Sequence, residues 1–259
     1  TITNFMAMQN ALYQYIELYN ANRPVVEARS SEPLNRLRTA ALEALETAGR
    51  LPAKGDEGFE KTSINDMFAP DFGVNISGIN IPADIASSFR CGVPNLSTLM
   101  GVVVNDRFTP TSTLLKNLPA GVTMCSLSEA AGKHPGIVGK WYGSVANLDS
   151  PGTALNTLLA QEGVFIHVAR GVRLEKALQL VSILSAPSPL AAFRRILLVA
   201  EEGAQVSVLK CDHTQEGSQQ CLSSEVVEIV ALNGSKVEWY DIEESNADTS
   251  RYCQVYVAQ

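Results

Sequence analysis

Residues 202–208 read Glu202-Gly203-Ala204-Gln205-Val206-Ser207-Val208, and thirty-one positions later residues 233–239 read Asn233-Gly234-Ser235-Lys236-Val237-Glu238-Trp239. Each copy is a glycine turn followed by a short alternation of apolar and polar residues, the period-two pattern of a strand. The same alternation starts just after Gly163, where Val164, Ile166 and Val168 alternate with Phe165 and His167. It continues at Val172 and Leu174, Leu178–Leu184, Ile196–Val199, Val206–Leu209, Val226–Leu232, Val237–Tyr240 and Cys253–Val257. One short strand cannot bury its own apolar face, so a recurring turn-strand unit predicts stacked rungs, each covering the one before. Alternating strands of a β-sandwich carry the same local signature, and the pattern alone leaves both architectures open. A left-handed hexapeptide helix is disfavoured, because no six-residue Ile/Leu/Val-Gly repeat is sustained.

Upstream of the strands the period changes to that of a helix. Ile2, Phe5, Met8, Leu12, Ile16 and Tyr19 recur every three or four positions, on one helical face. A second helix is expected after Ser31, with Pro33 in its first turn, a stripe of Leu34, Leu37, Ala41, Leu45 and Ala48, and Gly49 closing it. Ser63-Ile64-Asn65-Asp66 resembles a capping box with Asp in place of Glu, and Ser126-Leu127-Ser128-Glu129 has the full pattern, stopped by Pro135-Gly136. Pro151 opens another helical segment, through Leu155, Leu158 and Leu159 to about Gln161. The expected organisation is an N-terminal helical subdomain over 1–50, a connector over 51–71, and a β core with helical insertions over 72–259.

Composition narrows the function classes. With 259 residues and 46% apolar side chains, the chain is able to build a large core, and general disorder is excluded. A net charge of −7 offers no basic patch to nucleic-acid phosphates or anionic lipid. Clean apolar runs such as Leu99–Val104 are far too short to cross a bilayer, and no secretory signal stands at the N-terminus. The cysteines Cys91, Cys125, Cys211, Cys221 and Cys253 are odd in number and hold no C-x-x-C pair. Unbridged thiols suit a reducing compartment, so the expected location is the cytoplasm. That argument outweighs the Asn-x-Ser sequons at Asn75, Asn95 and Asn233, a pattern common by chance.

The strand region also carries a resemblance. Ala154-Leu155-Asn156-Thr157, the run Gly163 to Val172, then Leu174-Glu175-Lys176, Leu178-Gln179-Leu180-Val181 and Arg195 to Ala204 resemble the SufB/SufD family, more its SufD branch than its SufB branch. The connector from Leu51-Pro52 to Thr62 is similar to the segment linking that family's N-terminal helices to its β domain. The resemblance covers most of the chain from about residue 50 onward. It implies a right-handed parallel β-helix flanked by helices. It also implies a scaffold role in SUF iron–sulfur cluster assembly, with SufB-like and SufC-like (ATPase) subunits as partners. No cofactor is expected to stay on the chain; the cluster would be transient cargo of the complex. Family members continue through further rungs to a C-terminal helical region that engages the ATPase, whereas this sequence stops in the strand-like segment Cys253–Val257. The chain therefore reads as a partial form, expected to pair through the β-helix as a homodimer or heterodimer and not to hold the ATPase stably.

No residue is assigned a catalytic, cofactor-binding or metal-binding role from sequence. Cys211-Asp212-His213 is the sharpest candidate, since a thiol and an imidazole two residues apart on a strand share a face and can share a metal. The family's own Cys-x-His lies in a later rung and leads into a Gly-Ala run, whereas here Thr214-Gln215-Glu216-Gly217 follows, so an ordinary strand end is expected. His167 and His134 read as packed or solvated structural histidines. Cys91, Cys125 and Cys253 read as isolated small hydrophobes, and Cys221, after a polar loop, as exposed. Asp241-Ile242-Glu243-Glu244 with Glu225, Glu228 and Glu238 can in principle bind a metal, but charged turn and edge positions explain it more simply. Gly139-Lys140 fails as a phosphate loop: His134 stands at the first glycine position and Trp141 at the Ser/Thr position. The competing function is a carbohydrate-active β-helix enzyme, a polysaccharide lyase or hydrolase. Aromatic residues make up only 7%, and Trp141 and Trp239 lie far apart in sequence, which argues against such a cleft.

Overall fold

The computed structural model describes residues 10–85 and 99–259. Ile2, Phe5, Met8, Cys91 and the sequon at Asn95 lie outside the described residues. The leading helices are α1 (Ala11–Ala28), α2 (Glu32–Asn35), α3 (Arg38–Ala48) and α4 (Ile64–Phe68). Asn10 caps α1 by accepting a hydrogen bond from the Leu12 amide at 3.1 Å, and the face bearing Leu12, Tyr15, Ile16 and Tyr19 is buried. The helix expected after Ser31 is divided at Arg36 and Leu37. The break separates two anchors: Arg36 donates to the Gly139 carbonyl at 2.5 Å, while Arg38 is fully buried and turned the other way. Gly49, at φ 70°, ends α3 in the left-handed conformation that glycine adopts without a Cβ penalty. Ser63 caps α4 through the Asp66 amide, 3.1 Å away.

The strands are β1 (Gly73–Val74), β2 (Met100–Val104), β3 (Arg107–Pro110), β4 (Val122–Ser126), β5 (Val164–Val168), β6 (Leu178–Leu184), β7 (Leu190–Ala200), β8 (Gln205–Thr214), β9 (Cys221–Ala231), β10 (Lys236–Glu244) and β11 (Thr249–Ala258). Between β3 and β5 run α5 (Ser112–Asn117), α6 (Leu127–Lys133), α7 (Pro135–Trp141) and α8 (Pro151–Leu159). One sheet has the order β11-β9-β7-β5-β4, with β1 also on β7; the other has the order β10-β8-β6-β2-β3. Successive strands along the chain alternate between the sheets and pair in parallel with the strand two places on, which is a β-helix of about three turns. The thirty-one-residue spacing of the sequence repeat reappears as ladder register: Gln205 pairs with Lys236 and Leu190 with Cys221. Gly171, Gly203 and Gly234, all at φ close to 70°, turn successive rungs. Those turns stack, because the Gly171 amide donates to the Glu202 carbonyl at 2.9 Å and the Gly203 amide to the Asn233 carbonyl at 3.0 Å.

Two expectations need correction. Residues 72–259 were expected to form mainly short parallel strands, with helix concentrated before residue 50 and near 151–161; β3 and β4 instead pair antiparallel, with β2 and β5 respectively, α5 lies between β3 and β4, and α6 and α7 lie between β4 and β5. Pro135 does stop α6, but it also opens α7 as a first-turn proline, where its missing N–H costs no hydrogen bond. Val172 and Leu174 form no strand of their own; they flank the isolated bridge from Arg173 to Gln205, with the Gln205 amide donating to the Val172 carbonyl and the Leu174 amide to the Gln205 carbonyl, both at 2.9 Å.

Three buried clusters fix the layers. Inward residues of both sheets, among them Val164, Ile166, Ile196, Leu198, Leu180, Val206, Val208, Val227 and Ile229, fill the β-helix interior. On the outside of the first sheet, Phe193 and Leu222 join the apolar stripes of α1, α3 and α8. Farther along the same outer face, Phe165, Leu197 and Val230 pack on α6 and α7. Polar pins hold these helices. Asn156 of α8 donates to the carbonyls of Arg194 and Ser224, both at 3.0 Å. Arg38 donates to the carbonyls of Thr157, Leu158 and Ala160 at the α8 C-terminus, which lack donors within the helix.

Candidate functional site

The interior of the β-helix is apolar over most of its length and ionic in one layer. Strand parity sets this layer. Val206 and Val208 face inward, so Lys210 and Asp212, two and four residues on, do too; likewise Arg194 precedes inward Ile196, and Glu225 precedes inward Val227. Parallel register extends each position to the next rung. Arg194, Glu225 and Cys253 form one cross-strand row, Lys210 and Asp241 a second, and Asp212 and Glu243 a third.

These rows meet as one network. Arg194 Nη1 lies 2.8 Å from Asp212 Oδ1, and its Nε donates to the Asn105 carbonyl at 2.5 Å. Lys210 Nζ contacts Asp212 Oδ2, lies 2.9 Å from Glu225 Oε1 and 3.6 Å from Asp241 Oδ1. Arg251 reaches Asp212 at 3.2 Å, Glu225 at 3.6 Å, Asp241 at 2.5 Å and Glu243 at 3.2 Å. Lys210 is 0% exposed and Glu225 1%, while the Asp241 and Arg251 side chains keep 24% and 21% of their exposure. The network is therefore sealed at one side and reachable at the other.

The electrostatics follow from burial set against partners. Burial pushes the Asp212 carboxyl up, but Lys210, Arg194 and Arg251 outweigh it and hold the pKa below the usual value. For Lys210, burial disfavours the ammonium, and Glu225 and Asp212 more than offset that, leaving it firmly charged. Cys253 is pushed up to about 12 by burial and by the Glu225 carboxylate, which also accepts from its Sγ at 3.5 Å. At neutral pH this is a protonated thiol held against a carboxylate.

A second buried pair lies on the outer face of the same sheet. Arg195 and Glu228 are 2.9 Å apart with both side chains 0% exposed. Glu228 also accepts from the backbone amides of Gly143, Val145 and Ala146 at 3.0–3.2 Å, and Arg195 stacks 4.7 Å from the Tyr142 ring centroid. Its partners are all structural, so it clamps the segment after α7 to the β-helix.

The positions singled out in the sequence fall as follows. Cys211 and His213 lie on the face of β8 opposite Lys210 and Asp212, both buried, with His213 Nδ1 3.5 Å from Glu244 Oε2. His167 and His134 pack with Phe165, ring centroids about 6 Å apart, and His167 Nε2 lies 3.1 Å from Glu201. Cys125 is buried as expected. Cys221, expected exposed, is 0% exposed, since it pairs with both Leu190 and Thr249 inside the sheet. Glu225 and Glu228, read as turn or edge charges, are buried in β9, a central strand. Cys253 is not isolated: it meets Glu225 and Asp241, and Arg194, Lys210 and Arg251 complete a network that sequence reasoning missed. The available signal was parity, because each of these charges repeats the phase of the inward valines and isoleucines beside it.

Comparison with known proteins shows the family. The family model for the SufBD protein N-terminal region matches residues 9–180, and that for the SUF system FeS cluster assembly SufBD core domain matches residues 183–259. An iron–sulfur cluster assembly SufBD family protein of Synechocystis sp. is 31% identical over 170 residues, covering 62% of this chain and 35% of the relative. One from Arabidopsis thaliana is 29% identical over 153 residues, covering 52% of this chain and 32% of the relative. Another, from Pyropia yezoensis, is 29% identical over 143 residues, covering 54% and 29%. The matched chain thus spans about a third of the length of these curated relatives. Among the described residues, no helix is long and apolar enough to cross a membrane.

Proposed function

The chain belongs to the SufBD family of iron–sulfur cluster assembly proteins, and from that membership we propose that it serves as a scaffold subunit of a SUF assembly complex. In this reading a second SufBD-type chain, or a second copy of this one, pairs with it along the β-helix, and a SufC-like subunit supplies ATP hydrolysis. The nascent cluster is cargo that the complex builds and passes on, and the chain itself performs no catalysis. It works in the cytoplasm. The observation that carries the reading is the ordered match of both family regions, one after the other, across nearly all of the chain. The fold supports it: Tyr240, Val255 and Val257 leave apolar surface exposed on β10 and β11, which suits pairing between β-helices.

Anaerobic purification, from its own cells, of the product of the whole gene rather than of residues 1–259 alone tests the proposal. Stoichiometric co-purification of an ATPase subunit together with a SufBD-type chain is the expected result. A protein that elutes without any ATPase from gently lysed, iron-replete cells contradicts it.

A further inference from the structure

We infer that Arg29 and Arg107 clasp the phosphate group of a small molecule, at a cleft beside the hairpin of β2 and β3. The inference rests on the placement of the two guanidiniums and stands apart from the assembly role proposed above.

Three segments remote in sequence meet here: the end of α1, the opening of β3, and the turn at Gly78 between β1 and β2. Gly78 has φ +60°, and a Cβ built on it would lie 1.9 Å from Arg107 Nη2 and 2.1 Å from Arg29 Nη2. The two nitrogens are therefore at most about 4 Å apart, in space that glycine alone leaves open. Asn75 shapes this turn from within. Its Oδ1 accepts from the Ile79 amide at 2.8 Å, and its Nδ2 donates to the Ile79 carbonyl at 2.7 Å. Arg29 Nη2 reaches the Gly78 carbonyl at 3.4 Å.

Two cations side by side repel unless an anion joins them. Arg23, Arg50 and Arg170 each hold a carboxylate, at 2.7, 2.5 and 2.9 Å. Among the described residues no carboxylate lies within 4.0 Å of Arg29 or Arg107, and residues 1–9 and 86–98 contain no Asp or Glu. An oxyanion between the two guanidiniums turns repulsion into attraction. A phosphate dianion matches their two charges and offers oxygens to both forks, whereas a carboxylate leaves one charge over.

Beside Arg107 opens a cleft of about 330 Å³, lined by Asn75, Asn80, Asp106, Thr109, Ser126 and Glu162. Its amides, hydroxyls and carboxylates suit the hydroxyl-bearing body of a small phosphomonoester. Neither acid neutralises the arginine pair. Burial encloses Asp106 Oδ1 and pushes that carboxyl up toward its neutral form. Glu162 Oε1 accepts from the amides of Ser128 and Gly163, at 3.1 and 3.0 Å. The two acids confine the anionic end of a ligand to the arginine side.

The test is calorimetric titration of the full chain with inorganic phosphate, glycerol 3-phosphate and acetate, in low-salt buffer free of sulfate. The expected result is one phosphate per chain, with acetate at least about tenfold weaker. Arg29→Gln and Arg107→Gln each weaken phosphate binding by about tenfold or more, as loss of a charge-assisted hydrogen bond does. Arg173→Gln, at an exposed arginine on another turn and likewise without a carboxylate partner, leaves binding unchanged. Circular dichroism establishes that each variant is folded. Should a glutamine variant fail to fold, lysine at the same position keeps the charge, loses the fork, and is expected to weaken binding several-fold. Tighter binding of glycerol 3-phosphate than of inorganic phosphate identifies a phosphomonoester as the occupant, and equal affinity identifies free phosphate; either supports the clasp. Absence of saturable phosphate binding by the folded wild-type chain, or undiminished binding by the folded double variant Arg29→Gln with Arg107→Gln, overturns the inference. Neither outcome bears on whether the chain joins an assembly complex.

Discussion

Glu228 and Arg195 show what a buried charge costs when its partner is removed. Glu228→Ala leaves the Arg195 guanidinium and the amides of Gly143, Val145 and Ala146 without their acceptor. The expected loss is about 3–5 kcal/mol by denaturant unfolding, and the double change Arg195→Met with Glu228→Leu recovers part of it, because the uncompensated charge is gone. The buried thiols set the alkaline limit. Burial pushes Cys125 up to about 12, Cys221 to about 11 and Cys253 to about 12. An unfolded thiol ionises near 8.5, so the unfolded chain loses protons there that the folded chain keeps. Stability is fully present below about pH 8.5 and falls as pH rises toward 11–12. Asp212 has the opposite sign: its lowered folded pKa gives stability present above about pH 4 and lost as the pH falls below that value. Urea midpoints measured from pH 3 to pH 10.5 check both arms, and a midpoint still rising above pH 9 contradicts the first. In the sequence Glu225 and Glu228 looked like surface charges because their partners are remote. Arg194, Lys210 and Arg251 come close to Glu225, and Arg195 to Glu228, only once the rungs are in register.

Strand and helix junctions allow a second kind of test. Gly163 opens β5 with no room for a side chain: a Cβ there would lie 2.2 Å from the Arg195 carbonyl oxygen and 2.6 Å from Leu127 Cδ1. Backbone cannot move aside as a flexible side chain does, so Gly163→Ala is expected to cost about 3 kcal/mol in thermal or denaturant unfolding. Gly132→Ala, with open space around it in α6, serves as the comparison and is expected to be neutral or slightly stabilising. The long, strongly patterned elements were legible: β6 to β11 each contain the alternation that announced them, and Ser63, Ser126 and Gly49 cap as their residue types suggest. Short elements were not. The strands β2, β3 and β4 have four or five residues each, too few for a period to declare itself; β3 pairs with its neighbour β2, but β2 and β4 also pair with β6 and β5, which lie far along the chain. The antiparallel closures were hidden for the same reason, since a sequence repeat reports spacing and not strand direction.

Stacked rungs explain why the repeat could be read at all. Each strand covers the one before it at nearly the same register, so turns and inward positions recur at intervals that follow the ladder. The ionic layer breaks the apolar column at one level without breaking the period, which is why it stayed invisible to a search for clusters in sequence. The chain belongs to the SufBD family, and the most direct measurement of the role proposed for it in iron–sulfur cluster assembly is made in the cell. With the gene removed, the specific activities of several iron–sulfur enzymes are assayed before and after the wild-type gene is returned. The expected result is a shared drop in activity, without loss of the enzyme polypeptides, that the returned gene reverses. Unchanged iron–sulfur enzyme activities in the deletion strain, under iron limitation as well as in rich medium, would contradict it.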